Sequence, residues 1–115
     1  MTTLVDILIE KRRKEEKFFV NYLDWAKKIK KEAEKNLGKV KVFLFGSIIK
    51  GEAEPGSDID ILIISPKLKS SDKKSEIRDK LSEKLGIFSP FEIHLITPEE
   101  YQGWYRNFID KKIEI

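Results

Sequence analysis

The sequence predicts an α/β fold: a small mixed β-sheet packed by helices in the order α-β-α-β-α-β-α, behind an N-terminal helical extension. Three observations lead there. Segments with a helical apolar period alternate with short runs rich in Val, Ile and Phe. Turn and cap residues fall at the joints between them. The chain has 115 residues, which is room for one domain, with residues 1–37 as a helical segment and 39–107 as the core that would carry chemistry.

The elements follow in order. Leu4, Leu8, Phe18, Tyr22, Trp25, Ile29, Ala33 and Leu37 recur near the helical period, and Gly38 supplies a stop. Residues 10–17 are polar on every side, with Glu10 and Lys14 spaced as a favourable pair. The apolar patch at residues 4–9 then needs a cover, which points to another chain, whereas residues 18–37 are expected to pack on the protein's own sheet. Residues 39–45 alternate and then become fully apolar, a strand that stops at Gly46-Ser47. Ser47 opens a short helix, with an N-cap role for its side chain. Glu54-Pro55-Gly56-Ser57 is turn chemistry. Residues 58–64 form a second strand, closed by Ser65-Pro66. Ser70, Ser71 and Asp72 offer N-caps to a helix with Ile77, Leu81 and Leu85 on one stripe and Gly86 past its end. Residues 91–96 form a third strand. Thr97-Pro98-Glu99-Glu100 is a capping box with Pro at the first helical position. Residues 109–115 alternate weakly, as a short edge strand would.

Composition excludes several classes. There are no cysteines and one histidine, His94, so disulfide frameworks, thiolate metal sites and clusters of imidazoles are out, and a reducing, cytoplasmic setting is expected. No apolar run approaches membrane-spanning length, and Asp6 and Glu10 follow the start too soon for a signal peptide, so no membrane association is expected. Net charge is +3, from 23 Lys and Arg against 20 Asp and Glu. Basic clusters at residues 11–17 and 27–31 would bind nucleic acid with a steep salt dependence, but Glu10, Glu15 and Glu16 dilute the first, and nucleic acid is not the expected partner. Abundant Lys and Glu with a single Gln and a single Met resemble the composition of a heat-adapted, thermophile protein.

The most informative stretch is Asp58-Ile59-Asp60. On a strand, Asp58 and Asp60 share one face while Ile59, Ile61 and Ile63 fill the other. Adjacent carboxylates repel, and no Lys or Arg lies within the strand to offset them, so a divalent cation is the economical answer. Taken alone, the pair also fits a turn cap and a solvated strand end. Ten residues upstream, however, lies Gly46-Ser47, and that combination at that gap would arise by chance in on the order of one in a thousand chains of this length. Gly46 allows close backbone approach, and the helix start at Ser47 offers N–H groups to phosphate oxygens. Phosphate cradle and carboxylates together point to chemistry on a nucleoside triphosphate.

Phe45-Gly46-Ser47 with Ser57-Asp58-Ile59-Asp60-Ile61 resembles the nucleotidyltransferase superfamily that includes DNA polymerase beta and kanamycin nucleotidyltransferase. It is most similar to the small minimal nucleotidyltransferases (MNT), over about residues 40–100. The resemblance implies the nucleotidyltransferase fold and Mg²⁺-dependent transfer of a nucleotide, AMP from ATP foremost, to an acceptor hydroxyl, with release of pyrophosphate. It implies that Gly46 and Ser47, with Ser57 beside them, hold the triphosphate. It also implies that Asp58 and Asp60 bind two Mg²⁺ ions, with Mn²⁺ as the alternative metal, and that a third acid stands on a neighbouring strand. Glu92 is the candidate for that acid, against the reading of an edge-strand Glu facing water. Glu92 and His94 share one strand face, and Phe91, Ile93 and Leu95 the other. Related proteins often carry Arg in the short helix; here Lys50 is the available cation. By the same resemblance, small members pair with a helical HEPN protein as antitoxin of a toxin–antitoxin couple, and some transfer AMP to it. A homodimer through the N-terminal segment, and an inactive module that neutralises a partner by contact, are the competing expectations.

Overall fold

The computed structural model describes residues 2–54 and 56–115, so Pro55 of the expected turn lies outside the described residues. Helices α1 (Leu4–Val20) and α2 (Tyr22–Leu37) lead into strand β1 (Lys41–Phe45) and a one-turn helix α3 (Ser47–Lys50). Strand β2 (Ile59–Ile64), helix α4 (Ser71–Leu85) and strand β3 (Phe91–Ile96) follow. The chain ends with α5 (Pro98–Glu100), a widened π-type turn (Tyr101–Tyr105), α6 (Arg106–Phe108) and strand β4 (Lys112–Glu114). The predicted α/β class and element order hold.

The four strands form one mixed sheet in the order β3-β2-β1-β4. β1 is antiparallel to β2 and to β4, and β2 is parallel to β3. A parallel pair needs a crossover, which α4 provides. Register places Asp60 opposite Phe45 on one side and opposite Glu92 on the other, with Leu62 opposite His94.

Apolar alternation assigns the two faces. Val42, Leu44, Ile59, Ile61, Ile63 and Leu95 point toward α2 and α4, where Ala26, Ile29, Ala33, Leu37, Ile77 and Leu81 complete the main core. Leu81 is 1% exposed, so Leu81→Ala should cost about 2–5 kcal/mol of stability, read as a lower urea midpoint at an unchanged slope. On the opposite face Leu62, Ile64 and Ile96 are buried with Phe45 and Ile109, and Tyr101 and Tyr105 pack against them. The C-terminal helical stretch covers that part of the face, and its Tyr105 reaches the His94 ring. Asp60 and His94 are half-buried there, and Glu92 is exposed.

Two local expectations are corrected. The N-terminal helix is broken at Asn21, which ends α1 and starts α2. Its backbone N–H and its side-chain amide both donate to the Lys17 carbonyl, the local bonding by which Asn competes with helix continuation. At α3 the cap position belongs to Gly46 and carries no side-chain cap bond, so Ser47 stands inside the first turn.

Other caps form as expected. Ser70 accepts from the Lys73 N–H, and Thr97 and Glu100 form a reciprocal capping box. Burial pushes the Glu100 carboxyl up, but the Thr97 N–H and the Lys74 ammonium outweigh it and hold the group below its usual range. A carboxylate so depressed adds stability above its ordinary value near 4.5, and that stability is lost as pH falls through the lower folded value. Thermal melts should therefore show the gap between wild type and Glu100→Gln closing as pH drops below about 4.5.

Candidate active site

Alternation on two adjacent parallel strands builds the site. Asp60 on β2 and Glu92 on β3 are register partners and face the same way. His94, two residues along β3, adds an imidazole on that face. The His94 Nε2 lies 3.3 Å from Asp60 Oδ1 and 3.8 Å from Glu92 Oε1. One ligand atom from each of the three residues lies within 4.8 Å of the others. The Asp60 and His94 side chains are 22% and 23% exposed, and that of Glu92 is 54% exposed, so the cluster is rooted in the sheet and open on the Glu92 side. Two carboxylates and an imidazole at this spacing suit a divalent cation.

His94 is held by aromatic neighbours. Its ring centroid lies 5.2 Å from Phe45 and 6.0 Å, edge to face, from Tyr105. Burial pushes the Tyr105 phenol up, and the charges of Glu100 and Glu92 push it further against the opposing Arg78. Tyr105 thus presents a neutral hydroxyl-bearing ring beside the cluster. Reading the sequence missed this residue. Its signal was the Tyr101/Tyr105 spacing, one face of the helix that Thr97 caps.

Gly46 closes the floor. It has φ +80° and ψ −157°, a conformation that is essentially glycine's alone. A methyl group added there would overlap the Asp60 Oδ2 and stand 3.1 Å from its Cγ. The backbone at the β1–α3 joint is therefore laid directly against the Asp60 carboxylate, a cradle that any Cβ would fill.

The expected site residues divide. Gly46, Asp60 and Glu92 are brought together. Ser47 follows Gly46 in the first turn of α3, and its carbonyl accepts from the Glu52 N–H. Asp58 is exposed, one residue ahead of β2, and is not part of the three-residue cluster. The Ser57 hydroxyl accepts from the Glu54 N–H at 3.0 Å and so braces the turn before Asp58. The Lys50 ammonium stands 3.9 Å from Asp110, an exposed pair that is weak by nature.

A mixed sheet on which acids from two neighbouring strands meet over a glycine joint fits a nucleotide-transferring class of enzyme. The comparisons with known proteins agree. The profile of the nucleotidyltransferase domain family matches residues 26–113, and the chain belongs to that family. A crystal structure described as a candidate nucleotidyltransferase is similar at 32% identity and TM-score 0.66, over 77% of this chain and 95% of that one. A second, from Sulfolobus solfataricus, shares 20% identity and TM-score 0.58 over 85% of this chain and 82% of that one, and supports the fold alone. No curated protein matches the chain significantly. Among the described residues, no helix is long and apolar enough to cross a membrane.

Proposed function

We propose that the chain transfers AMP from ATP to a hydroxyl group on a helical HEPN-type partner protein, as the antitoxin of a toxin–antitoxin pair. The observation that carries the transfer reading is the juxtaposition of Asp60 and Glu92 over Gly46. The acceptor is inferred by resemblance to other minimal nucleotidyltransferases.

The residues present fit a divalent ion, because Asp60 and Glu92 supply hard oxygen donors and Gly46 leaves the Asp60 carboxylate room. Asp60 and Glu92 would hold it, with Asp58 at the head of the strand as a further carboxylate and His94 Nε2 as a nitrogen ligand. Oxygen donors suit Mg²⁺, and the imidazole makes Mn²⁺ a good substitute. Bound there, divalent cations would lower the pKa of the acceptor hydroxyl and neutralise charge on the leaving group, the two roles divided between two ions.

The protein's own groups do the rest. The backbone from Gly46 to Ser47 receives triphosphate oxygens, and Lys50 leaves its loose pair with Asp110 to face them as a point charge. The acceptor oxygen attacks the α-phosphorus in line, the bond to the β-phosphate oxygen breaks, and pyrophosphate departs. Glu92, the more exposed carboxylate, takes the hydroxyl proton. Tyr105 and Phe45 keep the His94 ring in place beside both acids.

Incubation with α-labelled ATP, Mg²⁺ and the product of the neighbouring gene should label that partner. γ-Labelled ATP should leave it unlabelled. Label from the γ position would instead establish phosphoryl transfer, and no label from either would leave only neutralisation by contact.

A further inference from the structure

The N-terminal helix carries a second surface that the nucleotide chemistry does not use. Leu4, Val5, Ile7, Leu8 and Ile9 are all exposed, Leu4 at 71%, and Val20 at the far end of the same helix is 80% exposed. Leu8, Lys11, Arg12, Glu15, Glu16 and Phe19 line one side of an open groove of about 720 Å³, whose far wall is the loop at Ala53 and Glu54. Val5, Leu8, Arg12, Glu15 and Phe19 alternate spacings of three and four, the seam of a helix that expects another helix against it.

The order of residues along that seam says which helix. Reversing α1 about the point between Arg13 and Lys14 sets Leu8 against Phe19, Lys11 against Glu16 and Arg12 against Glu15. Every pair is apolar with apolar or cation with carboxylate. The like-charged pair in the middle, Arg13 with Lys14, falls on the back of the helix, where Lys14 lies over the Phe88 ring. A surface complementary to its own reverse is what a two-fold axis requires.

We infer that α1 pairs antiparallel with α1 of a second copy of this chain, about a two-fold axis crossing the helix between Arg13 and Lys14. Arg12 of each copy meets Glu15 of the other at the centre, and Leu8 meets Phe19 on both sides, each contact made twice. The Lys11–Glu15 and Arg12–Glu16 ion pairs within the helix are 3.8 and 3.7 Å long, so they exchange for the intermolecular ones at little cost. Like charges placed at the axis would repel twice.

Sedimentation of the full chain tests this. The wild type should sediment with the mass of two chains. Arg12→Glu and Glu15→Arg should each sediment with the mass of one chain, with helix content retained by circular dichroism. An equimolar mixture of the two variants should return to the mass of two, because Glu at 12 then faces Arg at 15 across the axis. Unfolded variants would not recover on mixing. A monomeric wild type overturns the inference and leaves the groove to a different chain. Reversals that stay dimeric, or a mixture that stays monomeric, overturn it as well.

Discussion

Asp60→Asn should lower nucleotidyl transfer by about 10²–10³-fold, the range seen when one preorganised group aimed at developing charge is removed. The amide fills the same space, and Asp60 sits at the end of a strand whose neighbours Ile59 and Ile61 are fully buried, so the thermal midpoint should hold. Removal of one of two facing carboxylates relieves repulsion, which offsets the lost contact with His94 at 3.3 Å. Affinity for Mn²⁺, read by paramagnetic resonance of the free ion, should fall in parallel with turnover. Asp58→Asn belongs to the same test, because the proposal gives both carboxylates to the metal. Unchanged turnover in both variants would refute the assignment. Loss in Asp60→Asn alone would confine the ion to the Asp60, Glu92 and His94 cluster.

Gly46→Ala should damage stability and activity together. Its backbone conformation costs about 1–3 kcal/mol for any residue with a Cβ, and the added methyl would also displace the Asp60 carboxylate. Gly86 provides the control. It has a similar conformation, with φ +85° and ψ 174°, but a Cβ there would meet nothing within 4 Å. Gly86→Ala should lower the urea midpoint by a comparable amount and leave α-label transfer unchanged. If Gly46→Ala loses no more activity than Gly86→Ala, the close approach of backbone and carboxylate has no catalytic meaning.

Much of this molecule was legible in its sequence, for identifiable reasons. Strands β1, β2 and β3 are short apolar runs bounded by strong turn residues, and the capping box at Thr97 is a local code that tertiary packing does not override. The alternation rule placed Glu92 and His94 on one face, but only the parallel register of β2 and β3 could show that this face meets Asp60. The break at Asn21 escaped because the apolar period runs through it and neither Gly nor Pro marks it. The burial of Leu62 and Ile64 was equally hidden. A run of isoleucine and leucine does not say whether its second face is covered, and the covering helix arrives from residues distant in the chain. Spacing groups Asp58 with Asp60, but its exposed place one residue ahead of β2, outside the Asp60, Glu92 and His94 cluster, is visible only in the structure.

The order β3-β2-β1-β4 gives the two central acids unequal freedom. Asp60 rides on an inner strand, laddered on both flanks, and moves only if the whole sheet moves. Glu92 rides on the rim, tethered on one flank. For the ion proposed at the cluster, a change in ionic radius would then fall on the rim strand: the inner acid would set where the ion sits, and the outer one how wide a range of ions is tolerated.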